Sequence, residues 1–483
     1  MNDDETLRGI DDVQFVSEKI SEQVKERMDP VPQVDMQIHS ENGKKFIILH
    51  VFAGTETPYY YVGDGSTKVN VTSPYFEETS LTRQNYLDKL LSWKDKHVIK
   101  VITGSRRSGK SVILKEFCKE ISNSVPVEQI TFFNFEMLEN EELQDYHLLY
   151  KILKNRLLKD KMNYVFLDEI QLVPNFEKVI DSLFIMPNVD IYLTGSNANM
   201  LSGEIATLLS GRYVEINILP FSFVEFQMGY KAKFPNHNLD LATLYTKYIT
   251  FGGFPYLYHI YEEKETIKDY IQGLYSTIVL KDIQQRKKIS DTLLLEKIVK
   301  FALQNTANLL SPKKICDTFV SSGKKTSPAM VDNCLSALCE TYLFYKINRY
   351  DVKGKEILKT LEKYYAVDMG LRFFMLGTKT GDEGHILENL VFLELKRRGY
   401  EIYIGKIDDM EIDFVAIKDG VTNYIQVALT VREESTLQRE LRPLVSVRDS
   451  FPKVLLTMDN SPVIYHKGIK QLYALDFLNG EKL

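Results

Sequence analysis

The sequence predicts an α/β fold built around a parallel sheet. From residue 83 to about residue 225, short apolar runs rich in β-branched residues alternate with stretches of helical periodicity. This alternation is typical of a sheet covered by helices on both faces. A glycine-rich turn joins the first run, at 99–102, to the helix that follows it, and a later run, at 164–167, ends in two adjacent carboxylates.

The glycine-rich turn reads GSRRSGKS and matches the phosphate-binding pattern G-x-x-x-x-G-K-[ST] in full. Its glycines would let backbone N–H groups face phosphate oxygens, and the next helix begins there with its partial positive charge. Lys110 would reach the β- and γ-phosphates, and the Ser111 hydroxyl would bind Mg²⁺. A chance glycine-rich turn is the alternative. The predicted nucleotide-binding residues are Gly104, Ser105, Arg106, Arg107, Ser108, Gly109, Lys110 and Ser111.

The two carboxylates are Asp168 and Glu169, at the end of a strand where open α/β sheets bind their ligands. We expect Asp168 to complete the Mg²⁺ site and Glu169 to polarise the attacking water, so that ATP and Mg²⁺ are the predicted cofactors. The next predicted strand, 189–194, is followed by Asn197. Asn197 would sense the γ-phosphate and position water, or it would cap a helix, and both roles are compatible.

The composition of the chain indicates an ordinary globular protein of several domains. Its 483 residues are too many for one compact core, and its net charge of −6 gives no overall electrostatic case for nucleic acid. The four cysteines form no C-x-x-C pair and the eight histidines form no H-E-x-x-H, so a cytoplasmic protein without a zinc site is expected. An uncharged apolar run of ~18 residues is absent, which argues against a membrane span.

The chain is predicted to divide into five segments. The first would hold a helix at 12–28, a hairpin with strands at 34–39 and 45–52, and a short strand at 59–62. The predicted segments are an α+β appendage at 1–72, a phosphate-loop domain at 83–225, a helical region at 226–300, a winged-helix-like domain at 301–350 and a nuclease-like domain at 351–483.

A series of motifs in order gives the chain a family resemblance. They are GSRRSGKS, FLDEIQ, LTGSN, LSGRY and LPFSFVEF, followed by FGGFP and VDMGLR. From about residue 83 onward the chain resembles the prokaryotic AAA+ ATPases that join an AAA_14 domain to a C-terminal DUF4143 region. The resemblance implies ATP binding and hydrolysis but little about a substrate. Residues 1–72 loosely resemble the C-terminal half of the Schlafen-like AlbA_2 domain.

Arg212, in the LSGRY motif, matches a Gly-Arg of this family. An arginine there would stabilise transition-state charge, either in its own subunit or across to a neighbouring one. The second case would require a homo-oligomer. A surface ion pair is the alternative.

Four lysines lie beside the second of two predicted helices in the winged-helix-like segment. Each of these helices is predicted to begin with a serine cap and a proline, at 311–312 and at 327–328. The lysines favour contacts to DNA phosphates over base reading, while a protein partner or internal packing is the alternative. These residues are Lys313, Lys314, Lys324 and Lys325.

Residues 384–460 resemble the core of a PD-(D/E)xK nuclease. Glu388 and Asp413 match the metal ligands that the resemblance implies, but the third position holds Gln426 and the lysine position holds Ala428. We therefore expect a nuclease fold without nuclease activity, in which Lys396 is the one candidate for a substitute lysine.

Three functions follow from these features. The leading one is an ATPase that couples nucleotide state to a protein or DNA partner through its C-terminal half. The alternatives are an ATP-gated DNA-processing enzyme with a live nuclease-like domain, and a DNA-binding or interaction module without enzymatic activity.

Overall fold

The computed structural model forms two compact units, 1–80 and 81–483. The predicted helix at 12–28 lies, apart from Met28, outside the described residues, and so does Asn197. The structure describes residues 28–29, 33–41, 44–52, 60–61, 81–196, 211–278, 283, 289, 291–377 and 382–483.

The first unit contains the predicted hairpin. Its two long strands pair antiparallel from Gln33 opposite Phe52 to Glu41 opposite Lys44, which confirms the hairpin. Two short strands also pair antiparallel with each other. The strands are β1 (Met28–Asp29), β2 (Gln33–Glu41), β3 (Lys44–Phe52) and β4 (Tyr60–Tyr61).

The second unit begins with a parallel sheet, as the sequence predicts. Its described strands are ordered β6-β7-β8-β5-β9, and every neighbouring pair is parallel. The strands are β5 (Ile99–Thr103), β6 (Ile130–Asn134), β7 (Asn163–Asp168), β8 (Val189–Thr194) and β9 (Tyr213–Asn217). The helices are α1 (Gln84–Trp93), α2 (Lys110–Ser122), α3 (Tyr146–Arg156) and α4 (Phe176–Phe184).

The central strands of this sheet are buried along their whole length because helices cover both faces. β5, β7 and β8 have no exposed residue, and a separate apolar core lies on each face of the sheet. Parallel strands end at the same edge, so the carboxyl ends of these three strands meet there.

Helices follow the sheet. Ser311 and Ser327 accept hydrogen bonds from the backbone N–H groups of Lys314 (3.1 Å) and Met330 (3.2 Å), which confirms both predicted caps. The helices are α5 (Phe223–Lys233), α6 (Leu241–Phe251), α7 (Lys264–Ser276), α8 (Thr292–Gln304), α9 (Pro312–Ser321) and α10 (Pro328–Glu340). Among the described residues, no helix has both the length and the apolar character needed to cross a bilayer.

A second, mixed sheet contains nine described strands, in the order β10-β12-β11-β13-β14-β15-β16-β18-β17. The strands are β10 (Leu309–Leu310), β11 (Phe344–Asp351), β12 (Glu356–Ala366), β13 (Glu401–Ile407), β14 (Met410–Lys418), β15 (Val421–Ala428), β16 (Lys453–Thr457), β17 (Ile464–His466) and β18 (Ile469–Tyr473). The helices are α11 (Met369–Leu376), α12 (Glu383–Arg397), α13 (Glu434–Ser446) and α14 (Ala474–Leu478).

The predicted division between residues 350 and 351 falls inside β11. The last residues of this strand, Arg349–Asp351, pair parallel with Ile404–Lys406 of β13. The antiparallel hairpin β11–β12 is therefore continuous with the strands of the C-terminal segment.

The motifs FGGFP and VDMGLR contact each other. Asp368 is buried, accepts a hydrogen bond from Leu371 N (2.9 Å) at the start of α11, and accepts another from Gly253 N (2.6 Å) after α6. Burial raises the pKa of Asp368 to about 6. A Cβ atom on Gly370 would lie 2.3 Å from the carbonyl oxygen of Phe251. Glycine is therefore needed where α6 and α11 meet.

We expect the Gly370→Ala variant to be destabilised by about 1–3 kcal/mol, because the added methyl group must displace the backbone of α6. Gly273→Ala is the matched control. Gly273 lies in α7, where a Cβ atom would meet nothing within 4 Å, so alanine should be neutral or stabilising by up to about 1 kcal/mol. Thermal melting of the two variants checks this, and equal melting temperatures would contradict the close contact.

Candidate functional site

The phosphate loop connects β5 to α2 and needs glycine at both of its ends. Gly104 has φ 143° and Gly109 has φ 97°, conformations that favour glycine. A Cβ atom on Gly104 would also lie 2.3 Å from the carbonyl oxygen of Ile218, the residue after β9. The loop is therefore shaped by its own glycines and by the segment that follows the last strand of the sheet.

Lys110 is the first residue of α2 and is almost completely buried in the loop. Its ammonium group donates hydrogen bonds to the carbonyl oxygens of Gly104 (3.2 Å) and Ser105 (3.0 Å). It also lies 3.9 Å from Glu169 Oε1. Burial lowers the pKa of Lys110, and the carboxylates of Glu169 and Asp168 oppose this shift. The side chain thus folds over the loop, where a bound phosphate would meet it.

Ser111 and Asp168 are brought together at the carboxyl edge of the sheet. Ser111 Oγ donates to Asp168 Oδ1 (2.9 Å), and Asn134 Nδ2 donates to Asp168 Oδ2 (2.8 Å). Because β8 lies between β5 and β7, its last residue, Thr194, reaches the same carboxylate with its Oγ1 (2.5 Å). Burial raises the pKa of Asp168, while the hydroxyl donors of Thr194 and Ser111 lower it. The oxygen atoms of Ser111, Thr194 and Asp168 form an oxygen cluster that could hold a metal ion.

Thr194 is a site residue that the sequence analysis did not single out. The available signal was its place as the last residue of the strand 189–194, one strand away from each motif. Its hydroxyl also accepts a hydrogen bond from the backbone N–H of Glu169 (2.8 Å). Thr194 therefore holds Asp168 and Glu169 in a fixed relation.

Glu169 has a left-handed backbone conformation, with φ 55°, directly after β7. This turn directs its carboxylate towards Lys110. Its Oε2 accepts a hydrogen bond from the side-chain amide of Gln171. In this arrangement the Glu169 carboxylate is held by a neutral donor and faces the loop.

Arg212 lies at the opposite end of the sheet from the phosphate loop. Its carbonyl oxygen accepts a hydrogen bond from Ile99 N (2.8 Å), which is the amino end of β5. The loop begins after Thr103, about 16 Å away along the strand. The prediction that Arg212 acts within its own subunit is therefore wrong. Its guanidinium group pairs with Asp181 of α4 at the surface.

Arg83 is a second residue that the sequence analysis did not assign to the site. It is buried just before α1, and its guanidinium group makes a two-pronged ion pair with Glu225 at 2.7 and 3.0 Å. Its Nη1 also donates to the carbonyl oxygen of Ser108 in the loop (3.2 Å), and its Nη2 donates to Pro220 (3.4 Å). Although burial opposes it, Arg83 holds the pKa of Glu225 below its ordinary value. Arg83 therefore ties the loop to the beginning of α5.

A second cluster of polar residues lies in the nine-stranded sheet and brings Glu388, Asp413 and Gln426 together. Asp413 N donates weakly to Gln426 Oε1 (3.4 Å). Lys363 of β12 is at the centre, 2.9 Å from Glu388 Oε1 and 3.9 Å from Asp413 Oδ1. Burial would lower the pKa of Lys363, but the surrounding carboxylates, including Glu411, raise it above its ordinary value.

Lys396 does not reach this cluster. Its ammonium group lies over the ring of Tyr345, 4.7 Å from the ring centre, and burial lowers its pKa. The prediction of Lys396 as a substitute lysine is wrong because its position along α12 turns it away from Glu388. Lys363, 25 residues before Glu388, takes the central place instead.

Family models and relatives show which proteins this chain is similar to. A family model described as an AAA domain, AAA_14, matches residues 96–227. An uncharacterised protein of Haemophilus influenzae is 39% identical over 401 residues, which cover 82% of this chain and 98% of that protein. An uncharacterised protein of Methanocaldococcus jannaschii is 32% identical over 71% of this chain and 77% of its own length. The chain belongs to the same family as these two proteins, and it contains an AAA domain.

The C-terminal part of this AAA-domain protein matches a further family model over residues 242–382, described as a domain of unknown function, DUF8612. The resemblances to DUF4143 and to AlbA_2 stay predictions. The fold is that of an AAA+ P-loop protein, with further α/β structure after the phosphate-loop sheet.

Several solved structures are similar at low scores. Cdc6p of Pyrobaculum aerophilum aligns with a TM-score of 0.29 and 12% identity, covering 66% of this chain and 96% of that one. DnaA of Aquifex aeolicus bound to AMPPCP has a TM-score of 0.28 and 13% identity, covering 54% of this chain and 88% of that one. ORC1 of Aeropyrum pernix in complex with DNA has a TM-score of 0.27 and 11% identity, covering 61% and 91%.

We expect the Arg83→Met variant to lose about 3 kcal/mol of stability, because the buried Glu225 carboxylate is left without its partner. It should also bind nucleotide more weakly, since Ser108 loses the donor that fixes its carbonyl oxygen. The double variant Arg83→Met/Glu225→Gln separates the two effects. It should recover much of the stability but not the affinity for a fluorescent ATP analogue. Wild-type affinity in the double variant would show that Arg83 does not position the loop.

Proposed function

We propose that this protein binds ATP with Mg²⁺ at the phosphate loop and hydrolyses it. The single observation that supports this best is the convergence of Lys110, Ser111, Asp168 and Glu169 at one edge of the sheet. Phosphate-binding, metal-binding and water-activating groups are all needed for phosphoryl transfer, and these four residues offer them within one cluster.

The loop has unused donors that suit phosphate oxygens. The hydroxyl groups of Ser105 and Ser108 are buried and have no hydrogen-bond partner among the described residues. Lys110, meanwhile, donates only to backbone carbonyl oxygens of its own loop, which are weaker partners than charged phosphate oxygens. The donors of the loop would therefore find better acceptors in a bound anion than they have within the protein.

The oxygen cluster fits Mg²⁺, a hard cation that prefers oxygen ligands and keeps several waters. Ser111 Oγ and the Asp168 carboxylate would hold it, with Thr194 and Asn134 orienting that carboxylate through their hydrogen bonds. When bound, Mg²⁺ neutralises charge on the phosphate oxygens.

Glu169 is the proposed general base for the attacking water. Its Oε2 is held by the Gln171 amide, and its Oε1 faces the Lys110 ammonium group at 3.9 Å. Once Lys110 turns to a phosphate, Glu169 Oε1 would be released from the ammonium group and could accept a hydrogen bond from the attacking water. The proposal therefore links nucleotide binding to activation of the base.

The partner is proposed to contact the C-terminal half. Helices α8, α9 and α10 with the antiparallel strands β10, β12 and β11 follow one another as in a winged helix, which supports that prediction. Lys313, Lys314, Lys324 and Lys325 are exposed there and would contact DNA phosphates, while a protein partner is the alternative.

Arg212 keeps only its proposed role across subunits, in which a homo-oligomer would bring it to a neighbour's nucleotide. The free thiols of all four cysteines are compatible with the proposed cytoplasmic location. The nuclease-like centre is proposed to be inactive, since Gln426 contributes no charge and Lys363 fills the middle of the cluster.

We expect Lys110→Ala to abolish binding of ATP while leaving the melting temperature close to that of the wild type. The lysine supplies the positive charge next to the β- and γ-phosphates, and alanine is tolerated at the start of a helix. Binding of labelled ATP measures this. Lys119→Ala, an exposed position later in α2, is the control and should bind normally. Unchanged binding by Lys110→Ala would refute the site.

Glu169→Gln should bind ATP normally but turn it over at least ~100-fold more slowly, because glutamine cannot accept the proton of the attacking water. Steady-state ATP turnover, with and without DNA, measures this. Glu120→Gln, at an exposed position of α2, is the control for a lost surface charge. If Glu169→Gln hydrolyses ATP at the wild-type rate, Glu169 is only structural.

A further inference from the structure

The second sheet contains a centre in which three carboxylates surround one ammonium group. Lys363 Nζ lies 2.9 Å from Glu388 Oε1, 2.6 Å from Glu411 Oε1 and 3.9 Å from Asp413 Oδ1. Lys363, Glu388 and Asp413 are all buried. Tyr365, two residues along the same strand and on the same face, donates its hydroxyl to Glu388 Oε1 (2.7 Å).

These carboxylates come from one helix and one strand and converge on a single point, as the ligands of a metal do. Glu388 is on α12, while Glu411 and Asp413 are alternate residues of β14. Hard divalent cations are bound by such converging carboxylate oxygens. The nuclease resemblance implies a metal ion at Glu388 and Asp413, so the protein places an ammonium group where that resemblance expects a divalent cation.

A metal ion does not fit this centre while Lys363 is in place. Glu388 Oε1 is already shared by Lys363 and Tyr365, and Asp413 Oδ2 accepts a hydrogen bond from Val427 N (2.8 Å). The third expected ligand, Gln426, is turned to Glu440 through its amide (3.1 Å). Among the described residues, no cluster of acidic, histidine or cysteine side chains is arranged to hold a metal ion.

We propose that Lys363 permanently supplies the cation of this centre, so that a divalent-metal position serves as a joint between the β11–β12 hairpin and the C-terminal strands. Lys363 belongs to the hairpin, and its three carboxylate partners belong to α12 and β14. The ion pairs therefore connect the β11–β12 hairpin to α12 and β14. This inference does not depend on ATP binding.

The test compares Lys363→Ala, which opens a space, with Lys363→Met, which fills the same space without charge. Both should melt on the order of 5–10 °C below the wild type in EDTA, because buried carboxylates lose their counterion. Adding Mn²⁺ without nucleotide should restore the melting temperature of Lys363→Ala only. Combining Lys363→Ala with Asp413→Asn should remove the Mn²⁺ effect.

Wild-type protein provides a second test, which does not require Lys363→Ala to fold. Any Mn²⁺ that electron paramagnetic resonance detects on the wild-type protein should also be bound by the Asp413→Asn variant. Plasmid DNA incubated with the wild-type protein and Mn²⁺ should stay intact. Mn²⁺ bound through Asp413 in the wild type would overturn the proposal. So would DNA cleavage lost in Lys363→Met, or folded Lys363→Ala whose melting temperature ignores Mn²⁺.

Discussion

The phosphate loop depends on close packing against parts of the chain that lie far beyond it. Gly104 contacts the backbone of Ile218 and leaves no room for a side chain. Arg83 donates a hydrogen bond to the carbonyl oxygen of Ser108 and forms an ion pair with Glu225. A Cβ atom on Gly109 would lie 3.6 Å from Pro255. The conformation of the loop is thus set jointly by the strand before it and by the segments after β9 and α6.

The proposed coupling of nucleotide to the C-terminal half would run through this packing. Pro255 ends the FGGFP motif, whose glycines contact the buried Asp368 at the start of α11. On the other side of the loop, Pro220 accepts hydrogen bonds from Arg83 and from Arg397 of α12 (3.0 Å). A shift of the loop on binding phosphate would therefore press on two contacts that lead to the second sheet. Packed interiors transmit such shifts because they contain little free volume.

Local features of the sequence predicted much of the fold and the core of the site. The phosphate loop, the Asp168–Glu169 pair and each serine cap are short motifs whose own residues are neighbours in the sequence, so their chemistry is fixed by local geometry. The ion pair between Arg83 and Glu225 joins residues 142 apart, and no spacing rule links them. Thr194 contacts Asp168 only because β8 lies between the two motif strands. Strand order is a property of the tertiary structure, and it cannot be predicted from local patterns in a single sequence.

Arg212 and Lys363 are two further residues whose positions in the fold could not be predicted from the sequence. The motif at Arg212 indicates a catalytic arginine, but the direction of β9 places it at the far end of the sheet. The sequence analysis assigned Lys363 no role, yet its strand joins the C-terminal sheet and places the ammonium group among the carboxylates. In both cases the sequence gives the chemical type of the side chain but does not show where the fold places it.

Hydrogen exchange of the Glu169→Gln protein, with and without ATP and Mg²⁺, tests most directly whether nucleotide at the loop is coupled to the C-terminal half. The account predicts slower exchange not only at residues 104–111 but also at 251–255 and 368–371, where Gly253 N–H and Leu371 N–H are bonded to Asp368. Protection confined to the loop would contradict the coupling, and no protection anywhere would contradict ATP binding itself.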